Sequence, residues 1–122
     1  MKRVLAAALP VLLLLAGPTA AQEGDAERGQ ALFRRQCAAC HQVAQPRNGV
    51  GPALQNVVGR PAANAEGFSY SPALQESGIT WTPGTLDTYL ANPAGMVRGT
   101  RMMLRVADEQ QRRDIIEFLA AQ

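Results

Sequence analysis

The sequence predicts an all-α domain. Three observations carry this: an amphipathic helical pattern near each end, a middle section crowded with proline and glycine, and no strong alternation of apolar and polar residues. A chain of 122 residues fits one domain. Its first stretch stands apart. Lys2 and Arg3 form a short basic region, and Val4 to Ala16 is an apolar run interrupted by Pro10. The small residues Thr19-Ala20-Ala21 then offer a signal-peptidase site. The run is shorter than the ~20 apolar residues of a spanning helix. Residues 1–21 are therefore expected to be a cleaved export signal, cut before Gln22, with an uncleaved tether as the alternative; the folded domain is expected at 22–122.

Asp25 to Gln36 is predicted as the first helix. Ala26, Gly29, Phe33 and Cys37 fall on one face, and Asp25 and Glu27 suit the first turn. Glycine inside a helix costs about 1 kcal/mol against alanine, so Gly29 is expected to admit a close neighbour. Val43 to Gly67 holds Pro46, Gly49, Gly51, Pro52, Gly59, Pro61 and Gly67, and is expected to be an ordered irregular loop. Ser71-Pro72 and Thr82-Pro83 each combine a cap with a first-turn proline. The first of these helices stops at Gly78; the second ends before Pro93, with Leu86, Tyr89 and Leu90 facing inward. Ala94 to Val106 is expected to be irregular. In the last helix Asp108 and Gln111 suggest a capping box, Ile115, Phe118 and Leu119 make an apolar stripe, and Glu109, Arg112, Arg113 and Glu117 take the solvent side. The terminal helices are expected to pack together, Gly29 against Ile115 or Phe118.

Removing Lys2 and Arg3 from the twelve cations leaves ten arginines against ten acids, so residues 22–122 have no net charge. This gives no support for a nucleic-acid partner or a membrane surface. Charge is local: Arg34, Arg35 and Arg47 lie near the cysteines, Arg98, Arg101 and Arg105 cluster later, and Glu23, Asp25 and Glu27 lie at the amino end. One Trp, two Tyr and three Phe are a modest aromatic supply for a small core.

Cys37-Ala38-Ala39-Cys40-His41 decides the chemistry. A C-x-x-C-H motif is a haem-attachment signature. Positions i, i+3 and i+4 of a helical turn share a face, so both thiols and the sole imidazole of the chain converge on one object. Thioether bonds to two vinyl groups would pin a porphyrin, and His41 would be the proximal iron ligand. A disulfide is the simplest competitor. A thioredoxin-like dithiol lacks a surrounding βαβ pattern, and structural zinc needs about four ligands. A buried porphyrin would add the apolar body that the aromatics lack, so the chain without haem is expected to be largely unfolded. With no second histidine, the opposite axial position falls to Met96, Met102, Met103 or an open site. Spacing does not choose among them.

The domain also resembles the small soluble cytochromes c of the mitochondrial and bacterial type. The likeness runs from Gly24-Asp25-Ala26-Glu27-Arg28-Gly29 through the haem motif, Gly51-Pro52-Ala53-Leu54, Val58-Gly59-Arg60, Gly67-Phe68-Ser69-Tyr70 and Gly78-Ile79-Thr80-Trp81. It continues in Thr85-Leu86-Asp87-Thr88-Tyr89-Leu90 and Gly99-Thr100-Arg101-Met102. The resemblance implies the cytochrome c fold, with terminal helices packed together, one covalent haem c, and long irregular loops covering it. It selects Met102 as the second iron ligand. It gives Pro52 the role of accepting a hydrogen bond from the proximal imidazole. It assigns Arg60, Tyr70 and Trp81 to the haem propionates, and places Thr100 and Tyr89 near the distal ligand, the Tyr89 hydroxyl holding the methionine sulfur. Three departures are evident: arginines replace a lysine docking ring, Leu74 takes a usually polar pocket position, and Arg98 replaces a proline before Gly99-Thr100.

The implied function is that of a monomeric periplasmic electron carrier, not an enzyme. Its expected partners are a dehydrogenase or quinol-oxidising complex upstream and an oxidase or reductase downstream, and the local arginines are expected to steer an acidic partner. Two other readings compete: a dedicated haem subunit of a periplasmic dehydrogenase, and a haem peroxidase or ligand sensor, which lacks a distal histidine as acid-base catalyst.

Overall fold

The computed structural model describes residues 1–14 and 23–122, and the expected cleavage site before Gln22 lies outside them. Residues 1–14 are exposed and carry no regular structure. No helix among the described residues is long and apolar enough to cross a membrane. The described residues form five helices: α1 (Ala26–Gln36), α2 (Pro72–Gln75), α3 (Pro83–Ala91), α4 (Pro93–Met96) and α5 (Glu109–Ala120). The β structure among the described residues is one isolated antiparallel bridge, Pro61 to Thr80.

Helix starts follow the expected chemistry. The Asp25, Ser71 and Thr82 side chains cap α1, α2 and α3 by accepting the N–H of Arg28, Leu74 and Thr85. Thr82 and Thr85 complete a reciprocal capping box. At α5 the box is only half made. Asp108 accepts the Gln111 N–H at 2.8 Å, while the Gln111 side-chain oxygen accepts from Gln36 of α1 at 3.4 Å. Two expectations are corrected. The segment after Pro93 is not wholly irregular, because Asn92 caps the short α4 by accepting the Gly95 N–H. Arg112 is not on the solvent side either. Its side chain is 12% exposed, pairs with Asp87 at 2.7 Å, and donates to the Val106 and Ala107 carbonyls.

The terminal helices pack face to face, as their stripes predict. Leu32 and Phe33 of α1 are buried with Ile115, Phe118 and Leu119 of α5, and the Phe33 and Phe118 rings lie 5.4 Å apart. Burying each such side chain stabilises the fold by about 1.5–3 kcal/mol. Gly29 is the point of closest approach. A Cβ there would overlap the Asp114 carbonyl and sit 2.8 Å from Phe118 Cβ, so the neighbour is the α5 backbone and Phe118 rather than Ile115.

Asp114 supplies the polar side of this contact. It is 3% exposed and accepts the Asp25 N–H at 2.9 Å, Arg28 Nε at 3.1 Å and Gln110 Nε2 at 3.0 Å. Burial alone would raise its pKa, but these donors and the Arg28 charge hold the carboxyl below its ordinary value. One buried acid thus ties the start of α1 to the middle of α5.

Two outcomes are expected. Gly29→Ala forces the helices apart and lowers the thermal midpoint of the holoprotein by the equivalent of about 1–3 kcal/mol, the overpacking cost; an unchanged midpoint would show that the contact is loose. Asp114 has a depressed folded pKa, so its contribution is present above the unfolded carboxylate value of about 3.9 and is lost as pH falls through the folded value. The stability gap between wild type and Asp114→Asn, measured by urea unfolding, should therefore narrow from pH 7 to pH 3.

Candidate functional site

The end of α1 delivers the cysteines. Past Gln36 the chain keeps turning: Cys37 and Ala38 N–H donate to the Phe33 carbonyl, and Cys40 and His41 N–H donate to the Cys37 carbonyl at 3.1 and 3.0 Å. This turn holds the i, i+3, i+4 relation that the motif requires. Both thiols are free, Cys37 half-buried and Cys40 exposed, so the disulfide alternative is not formed. Burial, with a smaller part from the Cys40 charge, pushes the Cys37 thiol up to about 11. Among the described residues no three His, Cys, Asp or Glu side chains group to hold a metal.

His41 is fixed from both sides. Its Nδ1 lies 2.7 Å from the Pro52 carbonyl. Only a protonated Nδ1 can donate there, which leaves Nε2 with a free lone pair. Burial lowers the pKa of the imidazole, and the Pro52 carbonyl opposes this in part, so the neutral ring is favoured. The ring lies against Gly51, where a Cβ would come within 2.8 Å of Nδ1 and 3.0 Å of Nε2. The Gly51 N–H donates to the Cys40 carbonyl at 2.9 Å, and the Leu54 N–H to the Gln42 carbonyl at 2.8 Å. Residues 51–54 are thus laced to residues 40–42, and proline is delivered beneath the ring.

These residues open on a cavity of about 680 Å³, within the usual range for cofactor sites. Cys37, Cys40, His41, Pro52, Arg60, Tyr70, Trp81, Tyr89, Thr100 and Met102 all line it. Elements far apart in the chain contribute, including α1, the irregular loop, α3 and the segment before α5. The bridge region aligns two of them: the Trp81 N–H donates to the Arg60 carbonyl at 2.9 Å and the Gly59 N–H to the Trp81 carbonyl at 2.6 Å.

The methionines separate by position. Met102 lines the cavity, is partly buried and packs on the core. Met103 reaches the same cavity but is 75% exposed. Met96 packs on the core without lining the cavity. The Tyr89 hydroxyl does not take the methionine sulfur as expected; it pairs with Thr100 Oγ1 at 2.6 Å. Arg60 donates through Nη1 to the Gln55 carbonyl and through Nη2 to the Ala53 carbonyl, both at 2.8 Å. Its Nε is buried with no protein partner. The Tyr70 hydroxyl accepts the Ala65 N–H at 2.9 Å and keeps its own proton to give. Leu74, at the usually polar position, lines the cavity as well.

The contents fit a haem. The walls are mainly apolar, two thiols and an imidazole with a free lone pair share one turn, and a buried guanidinium N–H and a phenol proton are left for an anionic group. An all-α shell with this turn defines a protein built around one covalently bound c-type haem.

Similarity to known proteins agrees. The family model for cytochrome c matches residues 26–122. Cytochrome c2 of Rhodomicrobium vannielii is 46% identical over 101 residues, 81% of this chain and 80% of that protein. Among solved structures, cytochrome cH from Methylobacterium extorquens superposes with a TM-score of 0.76 at 40% identity, covering 81% of this chain and all of that one. Ferricytochrome c2 from Rhodopseudomonas palustris gives 0.73 at 38% identity, covering 80% and 97%. The chain belongs to the cytochrome c family: it binds one covalent haem c and is an electron-transfer protein.

Sequence reasoning passed over Asn48, Gly51 as the seat of the ring, and Asp114. Asn48-Gly49 signals a turn, but nothing local says what its amide meets. Gly51→Ala should push the imidazole off its seat, so that purified holoprotein loses the low-spin absorption spectrum of a histidine-ligated iron in part or whole; an unchanged spectrum would show that the ring has room.

Proposed function

We propose that this cytochrome works in the periplasm as a single-electron shuttle, exported by residues 1–21 and matured by cleavage before Gln22 to a domain of 22–122. Cys37 and Cys40 would carry the two thioether bonds, and His41 and Met102 would ligate the iron. When bound, the haem supplies one reversible electron to the site. The protein's part would be to hold the iron through His41 and Met102 and to keep the surroundings rigid, so that little would rearrange on electron transfer. His41 cannot swing, because Gly51 and the Pro52 carbonyl hold its ring on two sides. A thioether from Met102 favours reduced iron and raises the potential. Arg60 and Tyr70 offer donors to the propionates, which would be costly to bury unpaired.

The meeting on one cavity of the three motif residues with the seven that the family resemblance nominates supports this reading. The partners are redox proteins: a dehydrogenase or quinol-oxidising complex that reduces the cytochrome, and an oxidase or reductase that accepts its electron. Val50, Met103 and Leu104 stand exposed around the cavity, and Arg101 holds its rim by donating to the Ser69 carbonyl at 2.8 Å. An exposed apolar centre with Arg101 at its rim suits a small, short-lived contact with an acidic surface.

The decisive measurement is the absorption spectrum of the purified mature protein, followed by a redox titration. Met102→Ala should abolish the far-red sulfur-to-iron band of the oxidised form and lower the potential. Met103→Ala should leave both in place. The opposite pattern would move the ligand assignment to Met103.

A further inference from the structure

The Asn48 side chain makes two hydrogen bonds that the haem site does not by itself call for. Its Oδ1 accepts the Ala53 N–H at 2.9 Å, and its Nδ2 donates to the Glu66 carbonyl at 2.8 Å. The partners settle the orientation of the amide, since a flipped side chain would set donor against donor and acceptor against acceptor. The Ala53 N–H belongs to the same peptide unit as the Pro52 carbonyl, the group that holds His41 Nδ1 at 2.7 Å. Three groups therefore stand in line: Asn48 amide oxygen, Pro52–Ala53 peptide, His41 imidazole.

We propose that Asn48 is a positioning residue for the proximal ligand, acting through the Pro52–Ala53 peptide to orient and enrich the His41 ring. The chemistry is that of a resonant amide. Drawing on the N–H pushes nitrogen density into the carbonyl, because the two share partial double-bond character. The Pro52 oxygen then becomes a stronger acceptor, and hydrogen bonds in such a chain reinforce one another. A more tightly held Nδ1 proton leaves more electron density at Nε2, as outer-shell partners of ligating histidines do generally. Greater donation favours oxidised iron.

The neighbouring peptide is held as well. The Ala53 carbonyl, which belongs to the Ala53–Leu54 unit, accepts Arg60 Nη2 at 2.8 Å, and Ala53 is 4% exposed. The Pro52–Ala53 peptide is thus bonded at its N–H by Asn48 and at its carbonyl by His41, and the residue that follows is anchored to Arg60. Through Glu66, Asn48 also joins this peptide to the loop carrying Phe68 and Tyr70, both of which line the cavity.

The inference rests on the assignment of His41 as an iron ligand, and the test separates the two. Asn48→Leu, Asn48→Ser and Asn48→Asp holoproteins, uniformly nitrogen-15 labelled and reduced, are compared by NMR of the His41 Nδ1 proton, by redox titration and by thermal unfolding. Leucine removes the acceptor. Aspartate keeps it and strengthens it by charge. Serine keeps a neutral one, and serves as the uncharged control if the leucine variant does not fold. Leucine and ionised aspartate both lack a donor for the Glu66 carbonyl, so a purely structural tie predicts the same spectrum for these two variants, with losses only in the thermal midpoint.

The proposal expects opposite movements instead. The Nδ1 proton shifts upfield and exchanges faster in Asn48→Leu, with a raised potential; it shifts downfield and exchanges more slowly in Asn48→Asp, with a lowered potential; Asn48→Ser stays near wild type. If all variants keep the wild-type Nδ1 signal, the proposal fails while His41 ligation stands. If the wild-type protein has no Nδ1 proton bearing the shift of an iron-bound imidazole, the ligand assignment itself fails.

Discussion

The 2.7 Å hydrogen bond from His41 Nδ1 to the Pro52 carbonyl is the constraint around which this protein is arranged. It decides the tautomer, and with it which nitrogen has a lone pair to give. A proline supplies a carbonyl without an N–H of its own to satisfy, and Gly51 before it leaves room for the ring. The turn at Cys37–Cys40 then needs only to bring the imidazole down onto this seat. Each part answers a requirement of the same nitrogen.

The rest of the fold keeps that seat in place. α1 runs directly into the cysteine turn, so any motion of α1 is motion of the haem attachment. Packing on α5 restrains it through apolar contact at Phe33 and Phe118 and through the buried Asp114 carboxylate. Neither interaction is strong in isolation. Together they hold a helix of three turns that would be marginal by itself in water.

On the far wall the logic is different. Residues 59–62 and 79–81 run side by side for a few backbone bonds, enough to align Arg60 with Trp81 but too few to form a sheet. Such short pairing lets an irregular loop place polar groups at a mainly apolar cavity without exposing a long edge. For an electron carrier this economy is fitting, since the protein contributes a fixed environment and no moving part.

Much of this was legible in the residues themselves. Helix caps, prolines at first turns and the apolar stripes of α1 and α5 announce the helices, because these depend on neighbours within four positions. The five-residue motif names the cofactor for the same reason: its geometry is local to one turn. Family resemblance then nominated Pro52, Arg60, Tyr70, Trp81, Tyr89, Thr100 and Met102, and the fold draws all seven to one cavity.

Tertiary structure decided what local pattern does not contain. Arg112 has the spacing of a surface residue, yet Asp87 and the Val106 and Ala107 carbonyls, distant or structureless in the sequence, claim its guanidinium. The Tyr89 hydroxyl went to Thr100 because α3 and the methionine segment meet only in three dimensions. Asn48 looks like an ordinary turn residue until Ala53 and Glu66 are folded around it. In each case a polar group found its partner through long-range packing, and hydrogen-bond partners of that kind leave no periodicity to read.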